Sequence, residues 1–93
     1  MSTIRFLRTF VAVARHGSFA AAAERVALTQ AAVSLQMRAL EAELRRDLFD
    51  RSGRTVTLNG RGRALLPQAE HLLALYDACL LYTSDAADDS ALV

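Results

Sequence analysis

The chain has no tryptophan and no lysine, and only one cysteine, one proline and four glycines in 93 residues. A single cysteine excludes an internal disulfide and any zinc site built from several thiolates. Without tryptophan, and with alanine supplying much of the 53% hydrophobic fraction, the core should be helical and built from small, close interfaces. No apolar run approaches the ~20 residues that cross a membrane. The first residues lack a basic segment followed by an apolar stretch and a small-residue cleavage site, so no secretory signal is expected. Together these absences lead to the expectation of a reduced, cytoplasmic protein with one modest core. His16 and His71 have no cysteine or carboxylate at ligand spacing, and Gly60-x-Gly62 lacks the remainder of a phosphate-cradling motif. Neither an enzyme nor a metal or other cofactor is expected.

What is present is unevenly distributed. All eleven basic residues are arginines, and all lie at or before Arg63. Up to Ala78 they face seven acids, an excess of +4, whereas beyond Ala78 only Asp85, Asp88 and Asp89 are charged. A modestly basic body suits a duplex partner without requiring one.

The most informative stretch runs from Thr29 to Leu44. Thr29 is placed to cap its first turn, with Leu28 and Val33 at staple positions. Val33, Met37, Leu40 and Leu44 recur at steps of four and three and form one apolar stripe. The opposite side carries an amide, a hydroxyl, small side chains and the Arg38 guanidinium, unlike the Glu/Lys-rich face of a merely solvated helix. A helix that buries one stripe and offers short polar groups near its N-terminus is suited to the major groove of a duplex.

On either side, the pattern predicts further elements. Leu7, Phe10, Val11 and Ala14 form a stripe on a helix from Ile4 to His16, which Gly17 stops. Ser18 caps a second, alanine-rich helix from Phe19 to about Val26, anchored by Phe19, and the short Ala27-Leu28 connector predicts a helix-turn-helix. Leu48–Arg51 and Thr55–Leu58 read as two short strands joined by Ser52-Gly53-Arg54, a hairpin with Arg51 and Arg54 at its tip. Asn59 is the expected cap of a fourth helix beginning near Gly60. In that helix Leu65, Leu66, Ala69, Leu72, Leu73 and Tyr76 recur at coiled-coil-like spacing. Pro67 lies within it and is expected to bend it.

The run Gln30-Ala-Ala-Val-Ser-x-x-Met-x-x-Leu-Glu-x-x-Leu44, followed by Leu48-Phe49-Asp50-Arg51, resembles the signature of LysR-type transcriptional regulators. The resemblance extends from Ile4 to about Ala78. Two positions depart from the family pattern: Ala31 stands where it prefers proline, and Arg45 where it prefers glycine. Arg45 then ends the helix without the residue best suited to a left-handed cap. The resemblance implies a mainly α winged helix-turn-helix, three helices plus a short β-hairpin wing, followed by a long linker helix. It also implies a bacterial, sequence-specific DNA-binding regulator that dimerises through the linker, with a small-molecule effector sensed in a separate C-terminal domain.

Helix geometry and motif position together give the expected DNA contacts. Thr29, Gln30 and Ala31 lie at the helix N-terminus, where backbone N–H groups favour a phosphate. Ser34, Leu35 and Arg38 share the outer face, with Leu35 suited to a thymine methyl group and Arg38 to guanine. Arg51 and Arg54 are expected over a phosphate strand or in the minor groove. The plainer alternative for Arg38 is an ion pair with Glu41, and Glu41 itself is expected to pair with an arginine or cap a neighbouring element. Leu65, Leu66, Ala69, Leu72, Leu73 and Tyr76 are the expected dimer stripe. A rival reading makes the whole chain a helical interaction module that does not bind DNA.

Three segments are expected: 1–58 as the DNA-binding domain, 59–78 as the linker helix, and 79–93 as a non-native or disordered tail. Written codon by codon, Cys79–Asp88 fits TGT CTC TTA TAC ACA TCT GAC GCT GCC GAC, which resembles a transposon-end adapter used in sequencing libraries. On that reading the effector domain is missing because the gene was truncated.

Overall fold

The computed structural model describes residues 2–53 and 55–86. Four helices, α1 (Ser2–His16), α2 (Phe19–Val26), α3 (Gln30–Leu44) and α4 (Gly60–Ala86), enclose one core, and strands β1 (Phe49–Asp50) and β2 (Thr57–Leu58) form an antiparallel pair between α3 and α4. This is a winged helix-turn-helix with a long helix appended.

Helix starts are set by side-chain oxygens. The Ser18 Oγ accepts the Ala21 N–H at 3.0 Å and Thr29 Oγ1 accepts the Ala32 N–H at 3.0 Å. Asn59 does two things at once. Its Oδ1 accepts the Gly62 N–H at 2.9 Å, while its Nδ2 donates to the Asp47 carbonyl. Each cap supplies a partner to an N–H that the helix itself leaves unpaired. Helix ends are less orthodox. Ala27 and Arg45 both occupy the left-handed region with φ of 58°, where a Cβ is sterically disfavoured. The turn between α2 and α3 therefore needs no glycine, because Ala27 adopts the conformation glycine would have supplied.

Val33, Met37 and Leu40 of α3 are completely buried, together with Phe10 of α1 and Ala22 of α2. The small Ala22 and Ala23 sit at the helix crossing. Phe49 ties the wing to this core through edge-on packing with Phe10, at a 5.9 Å centroid separation, and with Phe19 at 5.4 Å. The buried face of α1 is broader than the sequence stripe suggests. Thr9 and Val13 are buried alongside Leu7 and Phe10, whereas Val11 and Ala14 are only half-buried. The cause is that α1 packs against α2, α3 and α4 together. The Thr9 hydroxyl is accommodated there by donating to Gln36 Oε1 at 2.6 Å.

The wing is shorter than expected. Only Phe49 with Leu58 and Asp50 with Thr57 pair, so the connection is longer than Ser52–Arg54. The chain leaves the ladder after Asp50 because its carboxylate accepts the Ser52 N–H and hydroxyl, a local turn that competes with strand pairing. These two bonds hold the Asp50 carboxyl below its usual pKa, the Ser52 hydroxyl contributing most.

Helix α4 runs through Pro67 without interruption and continues past Ala78 to Ala86. A helix was not expected over the first residues of the tail, and residues 87–93 lie outside the described part of the chain. Nor is α4 a separate appendage. Ala69 and Leu73 are buried in the common core, and Arg8 and Arg15 of α1 pair with Asp77 and Glu70 of α4. Arg8 also stacks over the Tyr76 ring.

Gly62 is the position at which a side chain cannot be accommodated. A Cβ there would overlap the Leu48 carbonyl oxygen and press to 2.9 Å from Leu58 Cδ2. Alanine is otherwise favoured over glycine within a helix, but backbone at this contact cannot yield. Gly62→Ala is expected to destabilise the chain by about 1–3 kcal/mol, seen as a lower urea midpoint with unchanged slope.

The α1–α4 contact should also respond to acid. The hydrogen bond from Arg8 lowers the Asp77 pKa below its usual value. The contribution is therefore fully present above the unfolded carboxylate pKa of about 4 and is lost as pH falls through the lower folded value. Asp77→Asn is expected to differ from the parent in thermal midpoint at neutral pH and to converge with it as acid titrates the carboxylate through its lowered folded value; a constant offset across the titration would contradict this.

Candidate nucleic-acid interface

The outer face of α3 is an exposed surface opposite the fully buried Val33, Met37 and Leu40; Leu44, the fourth residue of the expected stripe, is 40% exposed at the end of the helix. Thr29, Gln30, Ala31 and Arg38 are exposed, Leu35 is 69% exposed, and Ser34 is half-buried. All six sequence-predicted residues of this helix therefore fall on one accessible side, with the first-turn N–H groups beside Thr29. Leu35 is the most exposed of the large hydrophobic side chains among the described residues. An isolated leucine surrounded by short polar groups fits contact with an apolar group on a polar partner.

The ion pair considered for Arg38 does not form. Glu41 is turned inward, 7% exposed, and accepts the Leu48 N–H at 2.8 Å. Its other partner is Arg51, at 3.2 Å through Nη1 and 3.0 Å through Nη2. The second approach is a charge contact without hydrogen-bond alignment, since Nη2 is buried and makes no hydrogen bond. Arg38 itself has neither hydrogen bond nor ion pair among the described residues.

Arg51 thus departs from its expected place at the wing tip. Its guanidinium lies 5.5 Å from the Phe49 ring centroid and is clamped to Glu41. It braces the wing against the end of α3. Arg54, the other expected tip contact, lies outside the described residues. On the other flank of the wing, Thr55 and Val56 border a shallow cleft of about 190 Å³ with Ser18, Phe19 and Gln30. The wing consequently lies beside the N-terminal end of α3, and Thr55 joins the accessible surface, a residue that strand propensity alone does not single out.

The predicted dimer stripe divides into two. Ala69 and Leu73 face their own core, Leu65 and Leu66 are half-buried against it, and Tyr76 is half-buried under Arg8. Leu72 remains 44% exposed, and Leu75, outside the expected set, is 56% exposed. Leu65, Gln68, Leu72 and Leu75 follow steps of three and four along one side of α4, adjacent to the core-facing side. Among the described residues no cluster of His, Cys, Asp or Glu is arranged to hold a metal ion, and no helix is long and apolar enough to cross a membrane.

The model of the bacterial regulatory helix-turn-helix proteins of the LysR family matches residues 4–63. The chain belongs to the LysR family. It is 52% identical over 71 residues to an uncharacterised HTH-type transcriptional regulator of Azotobacter vinelandii, covering 76% of this chain and 49% of that protein. It is 48% identical over 75 residues to the HTH-type regulator YxjO of Bacillus subtilis, covering 81% of this chain and 26% of that one. The LysR-family chain thus spans about half of the first relative and about a quarter of the second. Among solved structures it is similar to the CbnR DNA-binding domain in complex with DNA, with a TM-score of 0.82 at 39% identity, covering 90% of this chain and 97% of that one. The BenM DNA-binding domain bound to the benA site gives a TM-score of 0.83 at 34% identity, covering 92% and 97%.

The buried carboxylate generates a stability prediction. Glu41→Ala removes the acceptor of a buried N–H and leaves the Arg51 charge half-buried, at an expected cost of about 2–4 kcal/mol. Circular dichroism melting checks it, and Arg51→Ala should cost at least as much at neutral pH, because it strands the more deeply buried carboxylate.

Proposed function

We propose that the chain is the DNA-binding part of a LysR-type transcription regulator, reading the major groove of a duplex operator with α3. The observation that carries this is the two-sided character of α3. Val33, Met37 and Leu40 are fully buried on its inner side, and its outer side presents Gln30, Ser34, Leu35 and an Arg38 that has no partner among the described residues. Thr29, Gln30 and Ala31 position the helix on a phosphate through first-turn N–H groups, while Ser34, Leu35 and Arg38 meet base edges. Support comes from the two similar domains whose structures are DNA complexes. The role is regulatory and non-enzymatic, in a bacterial cytoplasm.

The partner is a second copy of the chain. The side of α4 bearing the exposed Leu72 and Leu75, with the half-buried Leu65 at its edge, is apolar beyond what one subunit covers, which gives association a physical motive. Ala69 and Leu73 serve it indirectly, by fixing α4 to α1. Residues 1–58 act as the reader and 59–78 as the linker, with 79–93 outside both. In the whole regulator, effector sensing belongs to a further domain. The rival reading, a dimerising module without DNA affinity, would use the same exposed leucines but draws no support from the DNA-complexed domains that the chain resembles.

Selection of random duplex DNA by the 93-residue chain across a salt series separates these readings. An enriched motif with dyad symmetry and a steep salt dependence is expected; a folded dimer that retains no duplex at low salt would establish the interaction module. Arg38→Ala should relax preference at one position of each half-site, losing about 1–3 kcal/mol of discrimination, with an unchanged melting temperature because Arg38 is exposed and unpaired.

A further inference from the structure

Beyond the outer face of α3, a second basic feature lies at the opposite end of the same helix. Arg38, Arg45, Arg46 and Arg61 border an open groove of about 480 Å³, with Glu41 and Asp47 as its acids. Glu41 is already paired with Arg51 and the Leu48 N–H. Four guanidinium groups therefore face one unspent carboxylate. Among the described residues only Arg61 has an engaged side chain, through Nε to the Asp47 carbonyl at 3.2 Å, and that bond leaves its terminal nitrogens available. Two of the carbonyls at the end of α3 do not need these side chains. The backbone N–H groups of Arg45 and Arg46 already satisfy Ala42 and Glu41. Arg45 moreover holds a left-handed conformation, φ 58°, that an arginine adopts only against its steric preference.

We infer that this groove is a phosphodiester-binding site for the duplex that α3 reads. The inference rests on the duplex-binding reading and adds to it contacts from Arg45, Arg46 and Arg61. Helix length supplies the geometric reason. The 15 residues of α3 extend ~22 Å at 1.5 Å per residue, against a major groove ~12 Å wide. With Thr29 and Gln30 at one wall of the groove, the far end of α3 reaches the other wall, where the backbone of the opposite strand runs. Ser34, Arg38 and Ala42 follow one another at steps of four, so the reading side of the helix leads directly into the arginine groove. A planar guanidinium matches a phosphate oxygen pair in two-point contact. The site thus grips the backbone without reading sequence.

Arg45→Gly provides a test in which loss of fold cannot imitate the result. Glycine relieves the left-handed residue, so the variant should melt above the parent while binding duplex more weakly. Across a salt series, Arg45→Gly and Arg46→Gln should each reduce the slope of log affinity against log salt by about 0.9, the value for one phosphate contact. The weakening should be uniform over operator and mismatched duplexes, and Arg46→Lys should recover most of the slope. Slopes and affinities equal to the parent's in both neutral variants, with Arg45→Gly still more stable, would overturn the groove while leaving duplex reading intact. A parent chain that shows no duplex affinity would overturn both.

Discussion

The Glu41 carboxylate is the constraint on which the relation between reader helix and wing depends. Burying a carboxylate costs several kcal/mol unless its oxygens are occupied, and here they are met by the Leu48 N–H and Arg51. These partners lie in the segment immediately after α3, so the carboxylate folds that segment back against the helix that carries it. Leu48 and Phe49 then enter the core, and Phe49 engages Phe10 and Phe19 edge-on. The Leu48 carbonyl in turn accepts the Asn59 N–H, which sets the start of α4. One buried charge thus orders the end of α3, the wing and the first turn of the linker helix.

Sequence legibility followed the range of the interaction. Caps are decided within a few residues, and Ser18, Thr29 and Asn59 could be read directly. The α3 stripe was equally readable, since Val33, Met37 and Leu40 need only helical spacing and one core to face. Glu41 could be assigned a pairing role but not its partners. Arg51 was misplaced for the same reason, because nothing local distinguishes an arginine on a duplex from one clamped to a carboxylate ten positions earlier. Ala27 and Arg45 hid their left-handed conformations behind residue types that do not advertise them. The physical reason for Gly62, the Leu48 carbonyl against its Cα, exists only in three dimensions.

The stripe on α4 shows a different limit. A period of three and four identifies an apolar side but not which body covers it. Leu65, Leu66, Ala69, Leu72, Leu73 and Tyr76 fall within about a third of the helix circumference, so spacing alone presents them as one face. The structure divides them, giving Ala69 and Leu73 to α1 and leaving Leu72, with Leu75, exposed. The small residue and the better-shielded leucine lie where two helices of one chain approach closely. The exposed leucines lie where a second chain has access.

On the proposed reading, that division makes α1 the mechanical link between DNA reading and pairing. On one side α1 is registered to α3 by the buried Thr9–Gln36 hydrogen bond, and on the other to α4 by Ala69, Leu73 and two ion pairs. The ion pairs are exposed and individually weak, so direction comes from the packing and the charges refine the register. In the proposed dimer the separation of the two reader helices is therefore set by how α4 leaves α1. Half-sites must be spaced by about one turn of duplex, roughly 34 Å, or a multiple of it. A few degrees of tilt in a helix 27 residues long shift its far end by several ångströms, enough to change which operator spacing is met. On the proposed reading, rigid attachment of α4 to the core is thus a requirement of operator choice as well as of stability.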